Sequence, residues 1–549
     1  MRHNVVLIGF MGTGKTVVGR ALASRLRWPF VDTDALVEQR AGRSIPRIFA
    51  EDGEATFRRL EADVVAAVGE SQGMVIATGG GVVLNRDNMA RLRRNGVIVA
   101  LRAGVHAILA RLDGDGDRPL LGADPEGSIR RLLTERGPLY EDADLVVDTS
   151  LARADDTVRV IEMFATTWRG RSGDASPPGA GSMAERVVRV ATRSRGYDVR
   201  IGRGLIGDIG DHLRGLGMTG RIAVLTHPRL EGLYGDRVTS SLRAAGYEAV
   251  TVTVPPSETS KSLRAANRLY DRLLEARLDR GSVLVVLGGG VAGDLGGFVA
   301  ATFLRGIAWA AIPTTLLAQV DAAIGGKTAV NHSRGKNLVG AVHQPVLVVS
   351  DIDTLGSLPL REMQSGMAEV IKTGVIGSPG LFSYLEDGLK AVLRRDPDAL
   401  ATVVARCAAY KAGVVTSDER EEAGRIVLNY GHTIGHGIEA AAGYRGLTHG
   451  EAVAVGMTLE GRLAVRMGVC DAVSMERQAA LLRGAGLPVR VADLRTRHRP
   501  SAGAIAAAMA LDKKARAGRL RFVLPVEVGR TVVRDDVPAT LVEEVLGDA

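Results

Sequence analysis

Two groups of residues in this 549-residue chain have types and spacings that suit chemistry on small anions. The first is the segment Gly9-Phe-Met-Gly-Thr-Gly14-Lys15-Thr16, which has the spacing GxxxxGK[ST]. Its glycines let backbone amides point inward at phosphate oxygens, while the lysine reaches the terminal phosphates and the hydroxyl holds Mg²⁺. A buried strand is predicted before the loop and a helix after it, which is the context that the motif requires. The segment therefore predicts a site for ATP and Mg²⁺.

The second group is a set of histidines that follows an apolar-flanked glutamate. Glu369 and Lys372 lie one turn apart on one predicted helical face, His432 and His436 are four residues apart, and His449 follows. Such nitrogen and oxygen donors suit Zn²⁺ with one coordination position left open. Spacing alone favours His432 and His436 as a ligand pair on one helix. The sequence therefore predicts a metal site in the second half of the chain.

A glycine-rich segment precedes this metal site. The run GGGVAGDLGGFVAA (Gly288–Ala301) follows a predicted strand, and its turn suits either the pyrophosphate of a dinucleotide or a plain tight turn. Two further segments, Pro255–Lys261 and Pro313–Asn331, concentrate Thr, Gln, Asp and Lys among small residues. Such residues make a poor core and a suitable pocket lining.

The elements that must position these residues follow from the apolar runs. In the first part of the chain, short apolar runs alternate with amphipathic stretches, which is typical of a parallel sheet with helices on both faces. The pattern returns after residue 185 and changes to long Ala-rich helical stretches after about 355. We expect an α/β P-loop kinase domain (1–168), a flexible Gly/Ser/Pro/Ala-rich linker (169–184), an α/β NAD-binding domain (185–354) and a mainly helical metal-binding domain (355–549). The predicted strands cover residues 4–10, 74–81, 96–103 and 144–150, then 221–228, 247–255 and 282–290.

Bulk composition limits the classes of partner. The net charge is +8 and the pI is about 9.6, but the arginines are interleaved with acidic residues and form no basic tail or aromatic-basic stripe. We therefore expect anionic small-molecule substrates and neither nucleic acid nor membrane as a partner. The two cysteines form no CxxC motif, no signal peptide is recognisable, and no uninterrupted apolar run is long enough to span a bilayer. These features predict a cytoplasmic protein.

Several further segments of the first unit resemble shikimate kinase, over about residues 1–170. They are the paired carboxylates of Phe30–Asp34, FRRLE (Phe57–Glu61), ATGGGVV (Ala77–Val83), DRPLL (Asp117–Leu121) and ERGPLYEDAD (Glu135–Asp144). A gluconate- or adenylate-type kinase would not account for Asp34, Arg58 and Arg136 together. The resemblance implies an ATP site at Gly12, Thr13, Gly14, Lys15, Thr16 and Arg118, a Mg²⁺ site at Thr16 and Asp32, and a shikimate site at Asp34, Arg58, Gly79, Gly80, Gly81 and Arg136, with Asp34, Lys15 and Arg118 catalytic.

The second unit, from about residue 185 to 549, resembles 3-dehydroquinate synthase. The resemblance implies that Glu369, His432 and His449 hold Zn²⁺ (or Co²⁺), and that His436 lies beside the substrate. It also implies conversion of 3-deoxy-D-arabino-heptulosonate 7-phosphate to 3-dehydroquinate and phosphate, with NAD⁺ regenerated in each cycle. The implied NAD⁺ residues are Glu258, Lys261, Gly289, Gly290, Asp294, Thr314, Thr315, Asp321 and Lys336. The implied residues for the heptulosonate phosphate are Arg305, Lys327, Asn337, Lys372, Lys411, Arg425, Asn429 and Lys513. The implied catalytic residues are Lys327, Lys372, Arg425 and His436.

Three alternatives to this interpretation stay open at the level of sequence. The second unit has rivals in a related sugar-phosphate cyclase with a valiolone-type product and in a metal-dependent alcohol dehydrogenase with net NAD turnover. The whole chain could also be a non-catalytic scaffold that retains old motifs. The oligomeric state is not fixed by the sequence, and a homodimer formed through the second unit is among the arrangements we consider.

Overall fold

The computed structural model describes residues 3–112, 124–140, 143–149, 185–333, 335–421, 424–496, 499–510 and 520–548, with six single positions between 154 and 165. The chain forms two compact units, residues 1–178 and 179–549. The division falls within the predicted linker 169–184, which lies outside the described residues. The finer domain boundaries at 168, 184 and 354 stay predictions.

The first unit is built on a parallel sheet. Its described strands have the order β2-β3-β1-β4-β5, and every described pair is parallel. The four strands predicted from the sequence are all present. The strands are β1 (Asn4–Gly9), β2 (Phe30–Asp32), β3 (Val75–Ala77), β4 (Gly96–Arg102) and β5 (Leu145–Asp148); the helices are α1 (Lys15–Leu26), α2 (Thr33–Ala41), α3 (Ile45–Gly69), α4 (Arg86–Asn95), α5 (Val105–Leu112) and α6 (Pro125–Tyr140).

The central strand β1 shows why this sheet is covered on both faces. Val5 and Leu7 pack into one hydrophobic cluster with helix α1, and Val6 and Ile8 pack into another with helix α3. Because alternate side chains of a strand point to opposite faces, a continuous apolar run fills both clusters. The carboxyl end of β1 then leads directly into the glycine-rich loop and α1, so the loop lies at the carboxyl ends of the parallel strands.

The second unit begins with a larger sheet. Its described strands have the order β6-β7-β14-β11-β10-β8-β9, and β6–β7 is the antiparallel pair among them. The hairpin β12–β13 stands apart from this sheet. The strands are β6 (Arg186–Ala191), β7 (Gly196–Gly202), β8 (Ile222–Thr226), β9 (Ala249–Thr253), β10 (Val283–Gly288), β11 (Ala308–Pro313), β12 (Lys327–His332), β13 (Gly335–Val342) and β14 (Leu347–Asp351); the helices are α7 (Ile209–Gly215), α8 (Pro228–Leu230), α9 (Asp236–Ala244), α10 (Leu263–Glu275) and α11 (Gly290–Thr302).

The rest of the second unit is mainly helical, as the sequence predicts. One hydrophobic cluster runs from the sheet into these helices, from Leu284 and Val286 on β10 to Met363 and Met367. The hairpin β15–β16 was not predicted, because two short strands after a long helical region carry little periodic signal. The elements are α12 (Leu360–Gly377), α13 (Pro379–Leu393), α14 (Pro397–Ser417), α15 (His432–Ala441), α16 (His449–Arg466), α17 (Ala472–Gly484), α18 (Ala502–Ala510), β15 (Phe522–Glu527), β16 (Arg530–Arg534) and α19 (Ala539–Gly547).

Helix α14 passes a length and composition test for a membrane span within the described residues. It has 21 residues and a mean hydropathy of 1.2, and 56% of its apolar window is buried inside the protein. A core helix of a folded unit meets the same criteria. Val403, Val404 and Cys407 on this helix belong to the main hydrophobic cluster, so packing accounts for its apolar character.

Candidate functional sites

The glycine-rich loop of the first unit adopts the backbone that its sequence requires. Gly9, Gly12 and Gly14 have φ values of 143°, 74° and 93°, which favour residues without a Cβ. The ammonium of Lys15 donates to the carbonyls of Gly9 at 2.8 Å and Phe10 at 2.9 Å. The lysine therefore lies over the loop at the N-terminus of α1, where a phosphate would meet it.

Two carboxylates flank this loop at the end of β2. The Thr16 hydroxyl donates to Asp32 Oδ2 at 2.9 Å, and the Asp34 amide donates to Asp32 Oδ1 at 3.1 Å. Asp32 thus caps helix α2 and also holds the hydroxyl predicted to bind Mg²⁺. Burial and then the neighbouring Asp32 charge raise the pKa of Asp34 to about 6. A carboxyl with such a pKa suits proton transfer near neutral pH.

Arg58 completes this pocket from helix α3. Its guanidinium donates to Glu61 Oε2 at 2.9 Å and to Glu54 Oε1 at 3.0 Å. A Cβ added to Gly81 would lie 2.3 Å from Arg58 Nη1, and one added to Gly79 would lie 2.5 Å from Asp34 Oδ1. The turn Gly79–Gly81 is therefore in close contact with both predicted substrate residues, and only glycine leaves this space free.

The buried Arg136 lies in the same neighbourhood. It is 7% exposed, and its charge acts on both Glu61 and Tyr140. The Tyr140 hydroxyl donates to the Gly80 carbonyl, which anchors the glycine turn to helix α6. Sequence reasoning missed Glu61 and Tyr140 as parts of this pocket, although Glu61 lies one turn from Arg58 on an amphipathic helix. Arg118 lies outside the described residues.

In the second unit, Glu369, His432 and His449 come together, each from a different helix. His432 Nε2 lies 3.6 Å and His449 Nε2 lies 3.4 Å from Glu369 Oε1. One donor atom from each of the three residues fits within 4.8 Å of the others. Both carboxylate oxygens of Glu369 are buried, and Oε2 is paired with the Lys372 ammonium while Oε1 faces the two histidines. This donor set fits a divalent cation such as Zn²⁺.

Close helix packing positions these three residues. His432 and His449 are the first residues of α15 and α16, and Gly450 lies so close to α12 that an added Cβ would be 2.1 Å from the Ser365 carbonyl. Ser365 stands one turn before Glu369. The His432 ring is held at Nδ1 by the Tyr430 carbonyl at 3.0 Å, which leaves Nε2 directed at Glu369.

The pKa values of Glu369 and His449 reflect opposite charges that are buried next to each other. Burial would raise the pKa of Glu369, but Lys372 and His449 lower it to about 2. Burial likewise disfavours a charged His449, yet Glu369 and Glu439 raise its pKa to about 10. His436 lies beside these groups, with its ring centroid 5.3 Å from His432 and 6.2 Å from His449. Its predicted place next to the substrate stays a prediction.

Buried cations lie beside the cluster. The Lys372 ammonium contacts Glu369, and both side chains are almost fully buried. Lys411 on α14 donates to the Asp321 carbonyl and to Asp321 Oδ1, each at 2.6 Å. Burial lowers the pKa of Lys411 to about 8. The structure thus joins Asp321, which the resemblance assigns to NAD⁺, with Lys411 and Lys372 on the predicted substrate side.

A second polar network surrounds the first turn of α11. The buried Lys261 ammonium contacts Asp294 and the side-chain carbonyl of Asn337, and Asn331 donates to Glu258 at 2.7 Å. Asn337 therefore lies with the predicted NAD⁺ residues. Thr314 and Thr315 follow β11 next to Gly289, whose added Cβ would be 2.8 Å from Thr315 Cγ2. Gly289 caps α11 and Gly290 is its first residue, so the free backbone amides of the helix N-terminus lie at this turn.

The remaining predicted residues are distributed more widely. Arg425 is 1% exposed and donates to the carbonyls of Gly325 at 3.2 Å and Glu419 at 3.1 Å. Lys327 forms a 2.6 Å ion pair with Glu421. Lys336 lies 3.5 Å from Glu439, next to the metal cluster instead of the Lys261 network. Arg305 is exposed with φ 71°, Asn429 ends the 3₁₀ turn Gly424–Asn429, and Lys513 lies outside the described residues.

Sequence profiles of known families match both units. The shikimate kinase profile matches residues 11–165. The profiles of the N-terminal and C-terminal parts of 3-dehydroquinate synthase match residues 251–365 and 366–515. The 3-dehydroquinate synthase of Nostoc punctiforme is 45% identical over 368 residues, which cover 66% of this chain and 98% of the relative.

Solved structures with the fold of the second unit are also known. A 2-deoxy-scyllo-inosose synthase complexed with carbaglucose-6-phosphate, NAD⁺ and Co²⁺ superposes with a TM-score of 0.60 and 26% identity, covering 66% of this chain and all of that one. The 2-epi-5-epi-valiolone synthase ValA from Streptomyces hygroscopicus, with NAD⁺ and Zn²⁺ bound, gives a TM-score of 0.59 at 26% identity, covering 65% and 97%. The name of ValA matches the valiolone-type rival, but both structures are less similar to this chain in sequence than the relative from Nostoc.

Proposed function

Because this chain belongs to the 3-dehydroquinate synthase family and carries a shikimate kinase domain at its N-terminus, we propose chemical roles for the residues that its two pockets bring together. The protein is a bifunctional enzyme of the shikimate pathway. One unit phosphorylates shikimate with ATP, and the other converts 3-deoxy-D-arabino-heptulosonate 7-phosphate to 3-dehydroquinate and phosphate. The cyclase and dehydrogenase interpretations of the second unit, and a gluconate- or adenylate-type kinase for the first, are thereby set aside.

The kinase role rests on the geometry at the end of β1 and β2. Mg²⁺-ATP supplies the transferable phosphoryl group, and the open glycine loop with Lys15, Thr16 and Asp32 fits it. Asp34 accepts the proton of the attacking shikimate hydroxyl, which its raised pKa favours. Arg58 and Arg136 bind the shikimate carboxylate through paired guanidinium hydrogen bonds.

The synthase role rests above all on the convergence of Glu369, His432 and His449, whose donor atoms lie within 4.8 Å of one another. Glu369, His432 and His449 hold Zn²⁺ or Co²⁺, and the Gly288–Gly290 turn with Lys261 and Asp294 holds NAD⁺. When bound, the metal polarises substrate oxygens and NAD⁺ accepts and returns a hydride, so no net oxidation results. The similarity to two synthases solved with NAD⁺ and Co²⁺ or Zn²⁺ supports both cofactors.

The chain's own cations bind the two anionic groups of the substrate, its phosphate and its carboxylate. Lys372, Lys411 and Arg425 lie buried in the same region, where charges interact strongly because water is excluded. Each is held by an internal partner: Lys372 by Glu369, Lys411 by Asp321, and Arg425 by backbone carbonyls. Their side chains therefore meet the phosphate and carboxylate of the substrate in fixed positions, which favours one orientation of the ring-closing atoms.

One experiment tests both halves of this proposal. Phosphate release and NADH absorbance are followed together after addition of the heptulosonate phosphate to the full chain with NAD⁺ and Zn²⁺. Phosphate without NADH accumulation supports the synthase, whereas stoichiometric NADH would indicate a dehydrogenase. In parallel, ADP formation with shikimate tests the kinase, with gluconate and AMP as alternative acceptors.

Cutting the chain tests whether the two units work separately. Because residues 1–178 and 179–549 form separate compact units, we expect each half, produced alone, to retain its own activity. Loss of either activity on cutting would show that the units depend on each other. A cytoplasmic location and a homodimer formed through the synthase unit stay predictions, which cell fractionation and light scattering check.

A further inference from the structure

A buried carboxylate that the resemblance does not assign lies on the far side of the His449 ring. Glu439 belongs to helix α15, is seven residues after His432, and has a side chain that is 11% exposed. Its Oε2 lies 3.5 Å from His449 Nδ1, and its Oε1 lies 3.5 Å from the Lys336 ammonium. Glu439 thus touches a proposed metal ligand with one oxygen and a cation with the other.

The His449 ring therefore stands between two carboxylates. Its Nε2 lies 3.4 Å from Glu369 Oε1, and its Nδ1 lies 3.5 Å from Glu439 Oε2. A neutral imidazole that binds a metal through one nitrogen carries a hydrogen on the other, and the partner of that hydrogen fixes the tautomer and the ring orientation. A metal would be held on the Nε2 side, because His432 Nε2 and Glu369 Oε1 also lie there.

We propose that Glu439 is a positioning residue that accepts the Nδ1 hydrogen of His449 and so presents His449 Nε2 to the metal. This inference rests on the proposed metal site at Glu369, His432 and His449. It extends that site by two helical turns along α15, because Glu439 lies seven residues after His432 on the same helix.

Lys336 balances the charge of Glu439 from the other side. It comes from hairpin strand β13, and its ammonium lies 4.6 Å from the centre of the Tyr444 ring. The Tyr444 amide donates to the Glu439 carbonyl at 2.8 Å, so a backbone hydrogen bond holds these two residues next to each other. Glu439 therefore links a metal ligand to a hairpin lysine that the resemblance assigns to NAD⁺, and its loss should also change the affinity for NAD⁺.

The test measures metal binding directly, in the full chain and without substrate. Zn²⁺ affinity is determined by competition with a chelator, and the visible spectrum of the Co²⁺-loaded protein reports the ligand geometry. We expect the Kd for Zn²⁺ to rise about 10-fold in Glu439→Gln, which keeps an acceptor oxygen, and up to about 100-fold in Glu439→Ala. The Co²⁺ spectrum should change in both variants.

Glu451→Gln is the matched control. Glu451 is as buried as Glu439 and lies two residues after His449, but its carboxylate pairs with Arg361 and caps α16. We expect this variant to keep the wild-type Zn²⁺ affinity and Co²⁺ spectrum. The unfolding transition of residues 179–549, measured in chelator, shows whether each variant is folded. If Glu439→Ala does not fold, Glu439→Gln alone provides the test.

Each result bears on a different claim. Wild-type Zn²⁺ affinity and an unchanged Co²⁺ spectrum in both Glu439 variants would overturn the positioning role alone. An equal loss in Glu451→Gln would overturn it by showing that the whole helix pair has loosened. Two ions bound per chain, one of them lost with Glu439, would make Glu439 a ligand of the second group formed by His436, Glu439 and His449. A wild-type chain that binds no ion would instead overturn the proposed metal site itself.

Discussion

The kinase pocket and the synthase pocket handle charge in different ways. In the kinase pocket, a glycine loop with Lys15 would receive the phosphates of ATP, and Arg58 remains 23% exposed beside its partner Glu61. In the synthase pocket, the ion pair of Lys372 and Glu369 is 2% and 3% exposed, and Lys411 pairs with Asp321. The kinase pocket therefore receives much of its charge from its ligands. The synthase pocket already contains buried ion pairs, and its ligands must bind beside them or replace one partner.

This difference has an energetic consequence. Removing one partner of a buried pair leaves an uncompensated charge in a low-dielectric place, which costs far more than loss of a surface pair. The synthase pocket should therefore be coupled strongly to the stability of its unit. The kinase pocket should instead gain stability when the Asp34 carboxyl, whose pKa is raised by burial, is neutralised.

The largest expected effect is that of Lys372→Ala. The variant leaves the Glu369 carboxylate buried without its cation, so we expect the synthase unit to lose about 3–5 kcal/mol of unfolding free energy in chelator. Added Zn²⁺ should restore part of this loss, because the ion replaces the missing charge. Urea unfolding with chelator and with Zn²⁺ measures both values, and synthase turnover should be abolished while kinase activity stays intact.

Arg477→Ala is the control for this prediction. Arg477 pairs with Glu386 in the same unit, but the two side chains are 44% and 31% exposed. We expect a loss below about 1 kcal/mol. Equal losses in the two variants would show that burial does not distinguish the Lys372 pair.

The next largest effect is expected for Asp34→Asn in the kinase pocket, and this variant should raise the unfolding free energy of its unit instead of lowering it. The pKa of Asp34 is raised to about 6, so the folded protein favours the neutral carboxyl; stability falls as the pH rises from about 4 to about 6, and the loss is complete above that range. Asp34→Asn should abolish kinase activity yet stabilise its unit by about 1–3 kcal/mol near pH 7.5. This gain should shrink as the pH falls through 6 and vanish below about pH 4, where Asp34 is protonated in both states. Unfolding of residues 1–178 at several pH values checks it, and a gain that does not depend on pH would contradict the explanation.

The contrast between the pockets also explains how far the sequence could predict them. Lys15 and Thr16 follow β1, a continuous apolar run, while Asp32 and Asp34 lie at the end of the short strand β2, so their proximity follows from short-range pattern and sheet topology. The other apolar runs of the first unit, at β3, β4 and β5, were predictable for the same reason.

The synthase pocket is assembled from helix ends that are far apart in the chain. Spacing favoured His432 and His436 as a pair on one helix, whereas the structure groups His432 with His449 and Glu369 because two helices begin beside a third. No local pattern reveals that Lys336 meets Glu439, or that Asn337 meets Lys261. Such contacts depend on the crossing of helices and a hairpin, which residue types alone do not determine.

A smaller effect is expected from the glycine turn of the kinase pocket. Gly81 has ordinary backbone angles, with φ −94°, so Gly81→Ala introduces only a Cβ that displaces the Arg58 guanidinium. We expect the KM for shikimate to rise about 10-fold, which corresponds to about 1.4 kcal/mol of binding, with little change in kcat. Gly80→Ala is the matched variant, since its Cβ would come no closer than 3.5 Å to another residue, at the Met11 amide. Steady-state kinetics should show a smaller rise there, and equal rises would contradict the role of Arg58 displacement.

The smallest effect concerns pH in the synthase pocket, where burial lowers the pKa of Lys411 to about 8. Below that pH the ammonium is charged and attracts the substrate anion; above it the amine is neutral, so kcat/KM should fall as pH rises through about 8. Lys411→Arg should remove this fall, because a guanidinium stays charged throughout the range and can still donate to Asp321. The substrate phosphate loses its second proton near pH 6, well below this transition. A pH profile of kcat/KM for the heptulosonate phosphate, compared between wild type and variant, checks the assignment, and an identical fall in both would place the titrating group elsewhere.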